Sequence, residues 1–575
     1  MFPPFRFFSA VILFLLLSLT PVFSSPGLGV SSAAAEQYLL LAEQLTVDGR
    51  WDEALVLLER GGDFADVSSD ISYLLAQARF HENMPLRSVL EALRRAFGAD
   101  RWEHYSPAPA RLLEAEVLIR LRSFSEALRA LTLAEQNPGP GIGPDADLGA
   151  DAAILRLLAL KGIPDLLEFR RFLGVTMDRY PRDPRPVEIL FSWARDRLPD
   201  DRNAAGAPTD RTLIDLALRR FPLLVEISPR LGYLAAPFVR DLAEARRLLS
   251  AYRALGKAEK ESLPVCLDLG IIDEWQAVEE LFDMASDGLL DRDLILRVWS
   301  LLRNREGRNF FRQYLLRFSG MITGDLDRDG YYEARTRYVN GTPQEYYWDA
   351  DQDRLAELHI SFSSGGTPVS AEQESEQGQR IFIRWERYPA VLQAELDGIV
   401  YVPRPEDFFF TPIRFSELTG GGGEPGLLYP ETENTRLTQR TLVSFALTII
   451  RPSREFSGGF EHIELERGIP RRATEMLDNR IVAVTEFVLG RPRFQRLDLD
   501  LDGRMETIRR FREGRAADEA DPLGYETILE LVETDRDRDG LYEIGEQFLP
   551  DGTIIYSWDT NGDGVRDFFE ERKRN

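Results

Sequence analysis

One cysteine in 575 residues, Cys266, leaves no partner for an intrachain disulfide, so stability must come from packing or from metal. Leu263, Pro264, Val265 and Leu267 surround it in sequence. That setting makes it a small buried hydrophobe, and nothing nearby would lower its pKa. Histidine is scarce as well. His81, His104, His359 and His462 are scattered, which excludes the spacing of a zinc protease. His359 follows Glu357 in a strand pattern and reads as a surface or packed residue. No nucleophile elbow and no phosphate loop occur; Gly420 to Gly423 lacks the lysine such a loop needs and reads as a linker. Positive charge is in deficit, with 70 Lys and Arg against 95 Asp and Glu, a net charge of −25. That balance repels nucleic acid and anionic membranes, so neither is an expected partner.

Long apolar runs are missing after the N-terminus. The one at the start has Arg6 ahead of an uncharged stretch from Phe7 to Val22. Small residues follow it, with cleavage expected near Val22-Phe23-Ser24 or Ala33-Ala34-Ala35. This pattern predicts a secretory signal and leader over residues 1–35. It is short for a span, which takes ~20 residues. The expectation is an exported protein, periplasmic or at the cell surface, with no stable membrane span after cleavage; the alternative is an uncleaved anchor.

From residue 36 to about 317, apolar residues recur at spacings of three and four, the helical period. Breaks are expected at 137–144, rich in Pro and Gly, and at 199–210. Residues 36–200 are expected to hold helical repeats, and 201–320 a further helical solenoid or layer. Tyr38, Leu41, Ala42, Leu45, Gly49, Trp51, Ala54 and Leu58 form one set of small, aromatic and turn positions; Ala115, Leu118, Phe124, Ala127, Leu131 and Ala134 form a second. These positions resemble the tetratricopeptide repeat, with Trp51 and Ala54 expected between the helices of one pair. The resemblance implies an α-solenoid whose concave face binds a protein or peptide.

After residue 318 the period changes to two, as in strands. Residues 321–575 are expected to be β-rich, so the whole is an α + β multidomain chain. Strands are expected at 334–339, 345–348, 358–362, 380–385, 399–402, 442–450, 481–489, 526–532 and 553–558. Residues 325–357 align with 535–567. Each passes an Asn340-Gly341 or Asp551-Gly552 turn, a strong hairpin signal. That places the acidic loops at the opposite end of each hairpin.

Those loops are the motif that carries chemistry, and it occurs five times. The positions are Asp325, Asp327, Asp329 and Glu333; Asp349, Asp351, Asp353 and Glu357; Asp498, Asp500, Asp502 and Glu506; Asp535, Asp537, Asp539 and Glu543; Asp559, Asn561, Asp563 and Asp567. Alternate oxygens on a curled loop converge on one point, where a hard cation takes six to eight of them. Glycine normally permits the turn at the sixth position, but Arg354 stands there in the second copy. Solvated turns alone do not require acids at both the third and fifth positions, so the set points to several Ca²⁺ sites. An EF-hand loop would need a Glu at the twelfth position, and only Glu546 and Glu570 supply one. All five copies have an acid at the ninth. They resemble the strand-flanked calcium loops of integrin-type propellers and related bacterial surface repeats. The last copy, with Glu570, also fits an EF-hand loop. That resemblance implies a further ligand in the carbonyl of Tyr331, Leu355, Arg504, Leu541 or Val565.

No catalytic residue or organic cofactor is assigned. The expected role is an exported, non-catalytic scaffold that joins an interaction solenoid to a calcium-stabilised β-domain at the cell envelope. The alternative is a carbohydrate-active or other hydrolase using carboxylates of the β-domain, since such chemistry needs only two. An exposed aromatic groove beside two unliganded acids would favour it.

Overall fold

The computed structural model describes residues 32–60, 68–136, 149–197, 208–256, 258–285, 288–326, 331–375, 378–404, 406–419, 426–433, 435–512 and 527–573. The leader over 1–31, the break at 137–144 and residues 199–207 lie outside these. The described chain up to Leu224 forms one compact unit, and from Val225 onward a second. An N-terminal region of helical hairpins is followed by a large β-rich region, an α + β multidomain architecture.

The first unit contains α1 (Ser32–Val47), α2 (Trp51–Arg60), α3 (Ser69–His81), α4 (Leu86–Ala99), α5 (Pro107–Arg120), α6 (Phe124–Gln136), α7 (Gly149–Gly162), α8 (Leu166–Arg179), α9 (Arg185–Arg197) and α10 (Pro208–Leu224). Consecutive helices pack as pairs. Helices two apart, α1 with α3, α5 with α7 and α7 with α9, also touch. That second contact is what stacks hairpins into a tetratricopeptide-like array. Small residues let the helices approach: Ala42, Ala54, Ala115 and Ala127 are fully buried. Trp51 is half-buried; it packs against the helical core, and its ring stacks on His81 at 3.9 Å between centroids. Phe124 lies against the end of α7, where a Cβ at Gly162 would collide with its ring. Buried Asp70 accepts the backbone N–H groups of Glu103, His104 and Tyr105 at 2.9, 3.0 and 3.1 Å. Those bonds satisfy the charge and tie the α4–α5 loop to the start of α3.

The second unit opens with α11 (Leu231–Ala235), α12 (Leu242–Ala254), α13 (Leu263–Asp268), α14 (Glu274–Met284), α15 (Arg292–Leu301) and α16 (Arg305–Leu315). Cys266 is buried in α13, and burial pushes its thiol pKa up. The strands are β1 (Leu289–Asp291), β2 (Gly320–Gly324), β3 (Ala334–Val339), β4 (Thr342–Trp348), β5 (Leu358–Phe362), β6 (Pro368–Glu374), β7 (Arg380–Arg387), β8 (Ala390–Leu396), β9 (Ile399–Pro403), β10 (Ile413–Glu417) and β11 (Leu428–Thr432). They continue as β12 (Ala446–Pro452), β13 (Phe460–Glu466), β14 (Ile469–Leu477), β15 (Arg480–Val488), β16 (Arg491–Leu497), β17 (Thr507–Arg512), β18 (Ile528–Thr534), β19 (Ile544–Phe548), β20 (Thr553–Trp558) and β21 (Phe568–Lys573).

Among the described residues, nineteen strands form one sheet, and β10 pairs only with β11. β1 pairs with β2 in parallel, and every later pairing is antiparallel in chain order, with β12 following β9 across the insert. One row of residues in register crosses the whole sheet. It begins Leu290, Ile322, Thr336, Tyr346, Ile360, Ala371, Ile383, Ala394, Tyr401, Ile449, Ile463 and Ala473, all buried. It turns polar at Thr485, Gln495 and Arg509, then runs on through Val532, Glu546, Tyr556 and Glu570. The insert of β10, β11 and α17 (Gln439–Phe445) supplies the apolar cover of the first part. Tyr346 Oη lies 2.6 Å from Thr432 Oγ1, and Tyr338 Oη donates to Leu428 O at 2.9 Å.

Among the described residues, two-residue turns with both residues at positive φ close five hairpins, Asn340-Gly341 and Asp397-Gly398 included. Their twist matches that of the flanking strands. One expected strand is corrected. Residues 442–450 are half helix, because Thr438 Oγ1 accepts the N–H of Thr441 at 3.2 Å and starts α17 before β12 begins. Strands absent from the sequence expectation, such as β13 and β14, carry Glu and Arg outward, which dilutes the apolar signal.

Candidate metal centre

All five acidic segments are connections from an even-numbered to an odd-numbered strand: β2–β3, β4–β5, β16–β17, β18–β19 and β20–β21. In an antiparallel meander such connections share one end of the sheet. The Asn340-Gly341 and Asp551-Gly552 turns lie at the other end, as their hairpins require. Neighbouring loops are linked through the backbone. Asp349 N donates to Glu333 O, Asp535 N to Glu506 O, and Asp559 N to Glu543 O, at 2.8, 2.9 and 2.8 Å.

Four loops fold in the same way. The first Asp accepts, through Oδ2, the N–H five residues on: Arg354 to Asp349, Gly503 to Asp498, Gly540 to Asp535 and Gly564 to Asp559, at 2.9, 2.7, 3.0 and 2.6 Å. Oδ1 of Asp351, Asp500, Asp537 and Asn561 accepts from the fifth position, and Oδ1 of Asp353, Asp502, Asp539 and Asp563 from the seventh. The ninth acid, Glu357, Glu506, Glu543 or Asp567, accepts the second residue's N–H at 2.6 to 2.9 Å. Two positive-φ residues per loop make this curl, for example Arg538 at 68° and Gly540 at 95°. Of the first copy, Asp327 and Asp329 lie outside the described residues. Its ends, Asp325 and Glu333, are in place, and Glu333 accepts from Leu326 N at 2.8 Å.

In several loops the first Asp accepts through both oxygens, as Asp498 does from Asp502 and Gly503, yet carboxylate oxygens still converge. Ligand atoms of Asp535, Asp537, Asp539 and Glu543 lie within 4.8 Å of one another, as do those of Asp349, Asp351 and Asp353, and of Asp498, Asp500 and Glu506. Asp559, Asp563 and Asp567 form no such group. Arg538 of the next loop pairs with both Asp500 and Asp502, its Nη1 2.6 Å from Asp502 Oδ2. Glu570 is in β21, where Arg572 Nε holds it at 2.7 Å, and so it is directed to a strand neighbour rather than to the last loop. Arg538 was not anticipated from sequence; the only hint was a basic residue inside an acidic loop.

Electrostatics and burial point to a cation. Asp349 Oδ1, Glu506 Oε2 and Glu543 Oε1 are buried oxygens without a hydrogen-bond donor. Burial pushes the Asp349 pKa up to about 6 and that of Glu357 up to about 7. Such carboxylates need either a proton or a counter-ion. A hard, oxygen-seeking ion of Ca²⁺ type fits this donor set, with its mixed carboxylate oxygens on a flexible loop.

No family model matches this chain. It is similar to an uncharacterized protein of Treponema pallidum (strain Nichols), 22% identical over 586 residues, covering 81% of this chain and 72% of that protein. Among solved structures it is similar to PilF of Pseudomonas aeruginosa, at 15% identity and a TM-score of 0.26 over 48% of this chain and 96% of that one. It is also similar to the type IV pilus biogenesis factor PilW, at 10% identity and a TM-score of 0.27 over 49% and 99%. A tetratricopeptide repeat protein from Parabacteroides merdae gives 11% identity and a TM-score of 0.32 over 49% and 98%. Overlaps this low carry no function across. Among the described residues, no helix is long and apolar enough to cross a membrane.

Proposed function

We propose that this chain is an exported, non-catalytic scaffold. Its stacked helical hairpins hold a protein or peptide on their concave face, and its sheet is stiffened along one end by Ca²⁺. The observation that carries this reading is the convergence of acid oxygens in three separate loops, with a buried oxygen lacking a donor in each. Clustered carboxylates in that state repel one another unless a cation sits among them. Export is supported by the uncharged segment from Phe7 to Val22. On this reading the acids that a hydrolase would need are metal ligands. Modules outside the cytoplasm function with affinities of about 10⁻⁴–10⁻³ M, so tight binding is not required. Calorimetric titration of the metal-stripped chain with Ca²⁺ tests it. Several saturable sites are expected, with Mg²⁺ a poor substitute because it demands a tighter octahedral shell. Heats no larger than dilution would discard the calcium reading and leave acidic turns.

A further inference from the structure

Arg354 occupies the sixth position of its loop, where the three other fully described loops have Gly503, Gly540 and Gly564. It does so at φ 72°, in the left-handed region. A side chain there is strained. Strain retained at one of several equivalent positions suggests that the side chain has a use.

That residue lines a surface cavity of about 510 Å³ on the outer side of β3–β7, together with Arg335, Tyr347, His359, Glu372 and Arg380. Three guanidinium groups face one carboxylate in a chain of net charge −25. The residues come from five strands and a loop, and only the register gathers them: Tyr347 pairs with His359, and His359 with Glu372. The His359 ring is fixed by stacking on Tyr347, 4.5 Å between centroids and 5° between planes. His359 Nε2 and Arg335 Nε are buried and have no hydrogen-bond partner. The acids beside Arg335 and Arg380 are at the limit of ion pairing. Arg335 Nη2 is 3.7 Å from Asp349 Oδ2, and Arg380 is 3.8 Å from both Glu372 Oε1 and Glu374 Oε2. Arg380 Nη1 is anchored on Ala356 O at 2.5 Å.

We infer that this cavity binds an oxyanion, a carboxylate or phosphate group carried on a small organic molecule. Guanidinium forks match such groups two oxygens at a time. The volume falls within the range of small-molecule sites, roughly 300–1,000 Å³, and is far larger than a bare anion needs. An oxyanion would give the Arg335 Nε–H an acceptor. It would also pair with the His359 ring if Nε2 carries the proton. Arg354 ties the cavity to the second acidic loop, which explains why that loop alone gives up its glycine.

The test is a calorimetric titration of the full chain in resin-stripped, calcium-free buffer at fixed ionic strength, with inorganic phosphate and succinate as probes. Working without calcium keeps the result independent of whether the loops hold that ion. One saturable site per chain is expected for at least one probe, and the tighter probe identifies the oxyanion. Arg354→Gly installs the residue of the sister loops, so its melt should be no lower while binding weakens about tenfold or more. Arg335→Gln should weaken binding likewise and serves as the second variant if Arg354→Gly disturbs the melt. Failure of both probes to saturate by about 10 mM, or wild-type affinity in the variants, overturns the assignment.

Discussion

Two copies of one nine-residue turn, 349–357 and 559–567, make the same self-bonds in opposite surroundings. In the first, Asp349, Asp353 and Glu357 are 4%, 1% and 6% exposed. Burial there raises the pKa of Asp349 and Glu357, and three ligand oxygens converge. In the second, the acids face solvent. The Thr560 hydroxyl and N–H hold Asp567 below the usual carboxylate range, and no group of three converges. Local sequence therefore shapes the turn, while the neighbouring strands decide how strongly it needs a counter-ion.

The largest expected effect separates the sheet from the helices. A ligand that binds only the native state adds ~2.7 kcal/mol per site at a hundredfold excess over its dissociation constant. With three converged loops, stripping calcium should lower the melting temperature of the sheet unit by roughly 10 °C and spare the helical unit. Differential scanning calorimetry of the full chain measures this, and an equal fall in both transitions would break the distinction.

Next comes a contrast between the loops. Asp349→Asn in saturating calcium should cost about 2–3 kcal/mol by loss of a site. In calcium-free buffer the same change should stabilise, because no charge is then buried. Asp559→Asn should do little in either buffer. Denaturant titrations of both variants in both buffers would reveal the change of sign, and identical responses would erase the contrast.

The pH dependence follows from the raised pKa values. Asp349 at about 6 and Glu357 at about 7 lie above their unfolded values. Their favourable contribution is therefore complete below about pH 4 and is lost as pH rises to 7. The calcium-free sheet unit should melt higher at pH 5 than at pH 8. In calcium the order should reverse, because protons displace the ion.

A comparable effect belongs to the helical unit alone. Ala54→Trp overpacks a fully buried position and should cost ~1–3 kcal/mol, unchanged by calcium. The smallest effect is Arg354→Gly. It should gain about 0.5–1 kcal/mol in calcium-free denaturation by relieving the left-handed strain.

The acidic loops were legible because each one's side-chain ligands fall within nine consecutive residues and need no tertiary information. The helical hairpins were legible from Ala42, Ala54, Ala115 and Ala127 at repeat spacing. The helix over 439–445 was not, since a β-branched run outweighed one threonine cap. Nor was the Arg335–Arg354–Arg380 cavity, whose residues are spread over 45 positions and meet only through strand register. His359 reads as a surface or packed residue in sequence; its stacking partner Tyr347 is on the previous strand. The pairing of Asp502 with Arg538 and of Glu570 with Arg572 was not legible either, since the acid motif does not encode those contacts.

The order of the strands has a kinetic consequence. Except where β9 meets β12 across the insert, each antiparallel pairing joins strands adjacent in the chain. Loop closure is then short at nearly every step, which favours rapid folding for so large a sheet. A chain that emerges gradually from either end finds the edge for its next strand already formed, so the sheet grows one hairpin at a time.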